Sequence, residues 1–187
     1  KNLIRGSYFP PGDKSISHRI IILGSQAVGR SIVSNLLEGE DVVNTIKAMR
    51  DLGANIKKKD GKFTIFGLPP GTLFQPKKKL EFGNSGTGIR LIAGLVSSNN
   101  ISTILIGDKS LSNRPMRRVT EHLSKIGSNI KLKRNLYPPI EIKGVGNAVP
   151  LSFNIKIPSA QIKSSIILSS LNTNGLVKIK EFCTTRD

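Results

Sequence analysis

The chain has 187 residues, of which 37% are hydrophobic and 22% are charged, and it contains one cysteine and no tryptophan. This balance is typical of a globular protein with an aliphatic core, and it excludes a disordered or fibrous chain. A single cysteine excludes an internal disulfide and a cysteine-based zinc site and favours a reducing compartment, so we expect a cytoplasmic protein.

The net charge is +17, from 29 Lys and Arg against 12 Asp and Glu. Such an excess suggests an anionic partner: a nucleic acid, a membrane surface or a phosphorylated metabolite. No apolar stretch approaches the length of a membrane span, and the two histidines do not make a metal site. We interpret the lysines at 57–59 and 77–79 as solvated. The cations that lie at predicted element boundaries look like ligand-binding residues: Lys14, Arg19, Arg90, Arg114 and Arg186.

Three groups of elements follow one another along the chain. The first predicts a helix over 17–27, a strand over 29–36, an amphipathic helix over 40–52, and a hairpin of 54–58 with 63–66. The second predicts a strand over 80–82, a helix over 89–97, a strand over 101–106, a helix over 115–126, and a hairpin of 129–133 with 140–142. The third predicts a strand over 151–155, a helix over 159–171 and a strand over 176–180.

The groups are related by an internal repeat. The segment at 51–57, Asp-Leu-Gly-Ala-Asn-Ile-Lys, returns at 125–131 as Lys-Ile-Gly-Ser-Asn-Ile-Lys, and each Gly is expected to end a helix. The sequence therefore predicts an α/β (α+β) fold of repeated βαβαββ units. We expect one domain over 1–187, with units at about 13–68 and 79–144 and an incomplete unit at 150–187. The chain opens on Lys1 and ends where the next helix is expected, so we also expect part of a longer protein.

The first helix of each unit begins with hydroxyl, amide and cationic side chains, at 14–19, 84–90 and 159–163. Each start alone is equally consistent with a capped, solvated helix. Three equivalent helices, however, can direct their N-termini at one place and form a shared anion pocket. Gly86 and Gly88 would let the backbone approach a ligand, or they serve a tight turn. Arg114 and Arg186, beside the next expected helix starts, are bidentate anion-binding candidates or parts of charged loops.

Other enzyme classes lack their sequence signatures. The chain has no Gly-x-x-x-x-Gly-Lys-Ser/Thr loop, no Gly-x-Ser-x-Gly elbow and no close carboxylate pair. We interpret Asp13, Asp41 and Asp108 as helix caps or as residues that orient a neighbour.

Four segments occur in a fixed order: Gly-Asp-Lys-Ser-Ile-Ser-His-Arg at 12–19, Gly-Asn-Ser-Gly-Thr-Gly-Ile-Arg at 83–90, Gly-Asp-Lys-Ser-Leu at 107–111 with Arg-Pro-Met at 114–116, and Pro-Ser-Ala-Gln-Ile-Lys-Ser at 158–164. Together with the closing Thr-Arg-Asp at 185–187, they resemble the 5-enolpyruvylshikimate-3-phosphate (EPSP) synthase family. The form of the first segment favours this family over the UDP-N-acetylglucosamine enolpyruvyl transferases, which share the fold.

The resemblance implies two domains of three βαβαββ units each, with the active site between them. The chain would then be most of one domain, with the second domain absent. The implied reaction transfers the enolpyruvyl group of phosphoenolpyruvate to the 5-hydroxyl of shikimate 3-phosphate, releasing phosphate, in the shikimate pathway to chorismate and the aromatic amino acids. It implies no metal or organic cofactor, no nucleic-acid or membrane partner, and a monomer when full length.

The resemblance also implies roles for individual residues. Lys14 would be catalytic, contacting both substrates. Shikimate 3-phosphate would be bound by Lys14, Ser15, Arg19, Ser159, Ala160, Gln161 and Arg186. Phosphoenolpyruvate would be bound by Lys14, Asn84, Gly86, Arg114 and Gln161. The acid–base pair would come from the second domain, so we expect the chain alone to be inactive. The herbicide glyphosate competes with phosphoenolpyruvate in this family, and Gly86 predicts a sensitive full-length enzyme.

Two alternatives remain at this point. A basic nucleic-acid-binding module would account for the net charge, although aromatic residues that could stack on bases are scarce. A UDP-N-acetylglucosamine enolpyruvyl transferase would share the fold but bind a uridine nucleotide.

Overall fold

Residues 5–182 are described by the structure, a computed structural model, and they form helices and strands in mixed order, as the α/β prediction requires. The helices are α1 (Lys14–Gly24), α2 (Glu40–Asp51), α3 (Gly86–Ser97), α4 (Arg117–Lys125) and α5 (Ala160–Ser170), with a short 3-10 helix at Leu111–Asn113. The strands are β1 (Gly29–Val33), β2 (Asn55–Lys59), β3 (Lys62–Gly67), β4 (Leu80–Glu81), β5 (Ser102–Ile106), β6 (Asn129–Lys133), β7 (Tyr137–Lys143), β8 (Ser152–Ile155) and β9 (Lys178–Glu181).

The strands form three sheets whose topology repeats. The first sheet has the order β1-β3-β2, and the second has β4-β5-β7-β6. In both sheets the second strand of an antiparallel hairpin also pairs with an earlier strand, β3 with β1 and β7 with β5, and a helix separates that earlier strand from the hairpin in sequence. In the second sheet β4 is parallel to β5, and the third sheet repeats that arrangement with β8 parallel to β9. The sheets are therefore successive copies of one pattern, in agreement with the sequence repeat.

Two glycines end equivalent helices in the same backbone conformation. Gly53 follows α2 with φ 103°, and Gly127 follows α4 with φ 107°. This left-handed region is strained for residues with a Cβ, so glycine is favoured after each helix. The predicted turn at Asp60-Gly61 is also confirmed, with φ 50° and 71° at the two positions.

Several helix starts differ from the predicted ones because side-chain caps set them. The first helix begins at Lys14 rather than residue 17, since the Asp13 carboxylate accepts the Ile16 N–H at 2.7 Å. The helix predicted from residue 89 begins at Gly86, because the Ser85 hydroxyl caps it.

Two further boundaries were also predicted incorrectly. The helix predicted from residue 115 begins at Arg117, after the 3-10 helix and an extended Arg114. The strand predicted over 29–36 ends at Val33, and the chain turns at Asn35 with φ 55°.

Helix α3 lies at the centre of the core. Ten of its twelve residues are buried, so it is apolar on all sides, as expected for a helix surrounded by others. It packs closely on α5, where the Ser165 hydroxyl donates to the Arg90 carbonyl at 2.9 Å. None of the helices within residues 5–182 has the length and apolar character needed to cross a membrane.

The α3–α5 contact predicts a steric requirement at Gly94. A Cβ there would lie 2.6 Å from the Ser165 hydroxyl oxygen and closer still to its carbonyl oxygen. We expect Gly94→Ala to lower the free energy of unfolding by about 2 kcal/mol, because overpacking outweighs the gain in helix propensity. Chemical denaturation measures this change.

Gly146→Ala is the matched control, since its Cβ would meet only an ordinary contact at 3.6 Å. Equal stability of the two variants would contradict the close helix approach.

Candidate functional site

The N-termini of α1, α3 and α5 lie together. Gln161, in the first turn of α5, donates from Nε2 to the Thr87 hydroxyl of α3 at 3.1 Å. Arg90 of α3 donates from Nη1 to Gln161 Oε1 at 2.8 Å. Arg19 of α1 donates from Nη2 to the Ser164 hydroxyl of α5 at 2.8 Å. The three helix starts identified in the sequence are thus joined by side-chain hydrogen bonds.

A polar cleft of about 210 Å³ opens between these helix starts. Its lining comes from α1, α2, α3, α5 and the segment after the 3-10 helix: Lys14, Asp41, Asn84, Gly86, Thr87, Arg90, Arg114 and Gln161. All five residues predicted to bind phosphoenolpyruvate belong to this lining. A helix N-terminus adds unsatisfied N–H groups and a positive dipole, which favours an anion.

The residues predicted to bind shikimate 3-phosphate are more dispersed: Lys14 and Gln161 line this cleft, whereas Ser15, Arg19, Ser159 and Ala160 do not. Ser159 caps α5 and lines a neighbouring cleft of about 590 Å³, which it shares with Arg90 and Gln161. Arg19 also donates to the Ser15 carbonyl at 3.1 Å. Ala160 is the first residue of α5. Arg186 lies outside the described residues.

Lys14 is oriented by Asp41 of α2, a pairing that no motif in the sequence indicates. Its ammonium lies 3.0 Å from the Asp41 carboxylate of α2, and the two side chains are 55% and 25% exposed. A pair this exposed contributes at most about 1 kcal/mol to stability. Its effect is therefore to hold the ammonium at the cleft, which agrees with the interpretation of Asp41 as an orienting residue.

Two guanidinium groups face the backbone of Gly86. A Cβ on this residue would lie 2.9 Å from Arg90 Nη1 and 3.2 Å from Arg114 Nη1. Burial and the nearby Arg114 charge both lower the pKa of Arg90. Within residues 5–182, the Arg114 guanidinium has no hydrogen-bond acceptor or carboxylate partner. Two adjacent cations, neither of which has a carboxylate partner within residues 5–182, are a favourable environment for a bound anion.

Gly88 serves packing rather than ligand approach. A Cβ there would lie 2.8 Å from both the Ser85 and the Thr45 hydroxyl oxygens. Of the two interpretations of Gly88, the structure favours the conformational one, because the space beside it is filled by α2 and the cap of α3.

Sequence reasoning also missed His18 as a site component. Its side chain is fully buried, with Nδ1 at 2.8 Å from the Thr45 hydroxyl and Nε2 at 3.5 Å from the Ser85 hydroxyl. Its pKa is lowered to about 4, mainly by burial; the Asp41 charge opposes this shift, and the charges of Lys14 and Arg19 add to it. No cluster of three or more His, Cys, Asp and Glu side chains that could hold a metal is found among residues 5–182.

The fold and the cleft define a repeat-built α/β protein with a polar, cation-lined cleft at three helix N-termini. A family model described as EPSP synthase (3-phosphoshikimate 1-carboxyvinyltransferase) matches residues 2–186. The chain belongs to the EPSP synthase family.

Relatives and solved structures agree with this assignment. Proteins named 3-phosphoshikimate 1-carboxyvinyltransferase from Novosphingobium aromaticivorans and Zymomonas mobilis are each 44% identical over 98% of the chain, which covers 42% and 41% of them. The structure of EPSP synthase from Acinetobacter baumannii matches with a TM-score of 0.92 at 38% identity, over 97% of this chain and 41% of that one. The chain thus spans about two fifths of the length of these relatives.

The buried His18 predicts a pH dependence of stability. The unfolded chain binds a proton at its ordinary pKa of 6.5, whereas the folded chain binds it only near pH 4. Its stabilising contribution is therefore complete above pH 6.5 and falls by up to about 3 kcal/mol as the pH drops to 4. We expect His18→Asn to remove this component from the pH dependence of the free energy of unfolding.

His122→Asn is the comparison: burial also lowers the pKa of His122, so this variant should remove a separate component and leave that of His18 in place. An unchanged pH dependence in His18→Asn would contradict the buried, neutral imidazole.

Proposed function

We propose that the chain supplies one side of the active site of an EPSP synthase. The whole enzyme would transfer the enolpyruvyl group of phosphoenolpyruvate to the 5-hydroxyl of shikimate 3-phosphate and release phosphate. The observation that carries this proposal is the single cleft lined by Lys14, Asn84, Gly86, Arg114 and Gln161. The single cysteine fits a reducing compartment, and we place the enzyme in the cytoplasm.

The domain organisation is part of the same proposal. Residues 1–187 form one domain, with units at about 13–68 and 79–144 and an incomplete unit at 150–187. The repeated sheet order supports these units, and the two-fifths coverage of the relatives leaves room for a second, facing domain. The full-length enzyme is proposed to act as a monomer without a metal or organic cofactor.

The phosphoenolpyruvate subsite is centred on Arg114, whose guanidinium has no acceptor in the part of the chain that the structure describes. Arg114 binds the carboxylate or phosphate bidentately, and the Gly86 backbone approaches the ligand without a Cβ. Asn84 and Gln161 contribute amide hydrogen bonds at the edges. Arg90 is held by Gln161 and by the Gly86 and Pro115 carbonyls, so it keeps the subsite positive without having to contact the ligand.

The shikimate 3-phosphate subsite lies between the starts of α1 and α5. Ser15 and Arg19 come from α1, and Ser159, Ala160 and Gln161 come from α5. Arg186 is proposed as a further phosphate contact on sequence grounds.

Lys14 contacts both substrates and is the catalytic residue of this chain. Both substrates are anions, so their approach is opposed by charge repulsion. Fixed cations and helix N-termini offset this repulsion and orient the reacting hydroxyl toward the enolpyruvyl carbon. The Lys14 ammonium stabilises the charge that develops during addition and elimination and assists proton transfer, while the principal acid–base pair comes from the second domain.

Substrate binding by the isolated chain tests the proposal. We expect the 187-residue chain to bind shikimate 3-phosphate weakly by calorimetric titration and to show no turnover. Lys14→Met should weaken this binding by about tenfold, because one charge-assisted contact is lost. Lys57→Met, on an exposed strand position, is the matched charge control. Turnover by the chain alone, or binding insensitive to Lys14, would contradict the proposal.

Gly86 predicts how the full-length enzyme responds to substitution. Gly86→Ala would place a methyl group against Arg90 and Arg114, so those groups must shift. We expect the KM for phosphoenolpyruvate to rise by about tenfold and sensitivity to glyphosate to fall, while the KM for shikimate 3-phosphate changes little. Steady-state kinetics with each substrate varied in turn measures the difference. Equal effects on both substrates would place Gly86 outside the phosphoenolpyruvate subsite.

A further inference from the structure

His18 lies at the centre of the site, yet the proposed reaction gives it no role. It belongs to α1, its Nδ1 lies 2.8 Å from Thr45 of α2, and its Nε2 lies 3.5 Å from Ser85, the cap of α3. The side chain is fully buried and cannot reach a ligand in the cleft. Its imidazole is therefore placed to act between helices rather than on substrate.

The hydrogen bonds around the ring favour one tautomer. The Ser85 hydroxyl oxygen already accepts the Gly88 N–H at 3.0 Å, and the Thr45 hydroxyl donates to the Asp41 carbonyl at 3.4 Å. If His18 Nδ1–H donates to Thr45 and Nε2 accepts the Ser85 hydroxyl hydrogen, every hydrogen in this chain of bonds has an acceptor. In the Nε2–H tautomer, the Thr45 hydroxyl would have to donate to Nδ1 instead of to the Asp41 carbonyl. The Ser85 hydroxyl would accept from Nε2, and its own hydrogen would have no acceptor.

The surrounding residues leave room for this chain of bonds and connect it to the cleft. A Cβ at position 88 would lie 2.8 Å from both hydroxyl oxygens, so glycine at this position keeps the space open. At one end is Asp41, whose carboxylate holds Lys14 at 3.0 Å. At the other end is the cap that starts α3 at Gly86.

We propose that His18, as the neutral Nδ1–H tautomer, is a positioning residue that fixes the Lys14–Asp41 pair relative to the Gly86 backbone. It does so by hydrogen-bonding α2 on one side and the cap of α3 on the other. Two groups assigned to phosphoenolpyruvate depend on these contacts: Lys14, which Asp41 of α2 holds, and the Gly86 backbone at the start of α3. The α1–α5 side assigned to shikimate 3-phosphate is held instead by Arg19 and Ser164.

The naming of the two substrates rests on the proposed function, and it gives a selective expectation. In the full-length gene product, His18→Asn keeps an N–H donor near the Nδ1 position and has no group at the Nε2 position. We expect the KM for phosphoenolpyruvate to rise by about tenfold and the KM for shikimate 3-phosphate by only about threefold, because Lys14 contacts both substrates whereas Asn84, Gly86 and Arg114 are assigned to phosphoenolpyruvate alone. His122→Asn is the matched control and should change neither KM.

A second variant covers the case in which His18→Asn does not fold. Thr45→Val is nearly isosteric and removes the hydroxyl, so it should reproduce the selective rise in KM. Thr45→Ser restores the hydroxyl and should restore the KM for phosphoenolpyruvate. Equal rises for both substrates, or failure of Thr45→Ser to recover, would overturn the positioning role and leave only a structural one.

The tautomer can be read without any substrate. Nitrogen NMR of the full-length gene product labelled with 15N-histidine distinguishes the two neutral tautomers and the imidazolium. We expect the signals that vanish in His18→Asn to be those of a neutral Nδ1–H ring at pH 7. A neutral Nε2–H ring or a doubly protonated ring would overturn the inference. Because this measurement involves no ligand, its outcome is separate from that of the proposed function.

Discussion

The structure depends on the meeting of three helix N-termini around one cleft. Arg90 and Gln161 hydrogen-bond to each other across α3 and α5, and Arg19 reaches from α1 to Ser164. These contacts require a close approach of α3 and α5, which Gly94 permits because it has no Cβ. The core therefore brings together three positive helix ends that would repel one another without an anion or a set of fixed hydrogen bonds between them.

The charges at the cleft are distributed unequally. Lys14 is neutralised by Asp41, and Arg90 is engaged by carbonyl and amide oxygens. Arg114 alone among these three has no acceptor within residues 5–182. Arg90, partly buried and hydrogen-bonded, is thus a structural charge, whereas the neighbouring Arg114 is proposed as the binding charge. The proposed anion binding at the cleft therefore does not depend on the large net charge of the chain, much of which lies on exposed strand and loop lysines.

Much of the fold could be predicted because its determinants are local. Glycine after α2 and α4, and the turn at Asp60-Gly61, follow from backbone conformations that few other residues adopt. Helix starts were less predictable because caps compete: Asp13 and not Ser17 caps α1, although both residue types are good caps.

Site residues could be predicted from the sequence only where they belong to a recognisable motif. Lys14 and Arg114 could be identified because they lie beside predicted helix starts. Their neighbours on α2 could not: Asp41 faces the cleft and pairs with Lys14, and Thr45 hydrogen-bonds to His18. Their pairing depends on packing that no local pattern encodes. The same holds for the two glycines of the second motif. Gly86 faces guanidinium groups and Gly88 faces hydroxyls, a difference set by the neighbouring helices.

The cleft between the three helix starts is proposed to bind the anionic substrates. The decisive experiment is a crystal structure of the full-length protein with shikimate 3-phosphate and glyphosate. We expect an anionic group of glyphosate on Arg114, against the Gly86 backbone and beside Lys14, with the phosphate of shikimate 3-phosphate near the start of α5. Either ligand bound away from these helix starts, with Arg114 still unengaged, would contradict it.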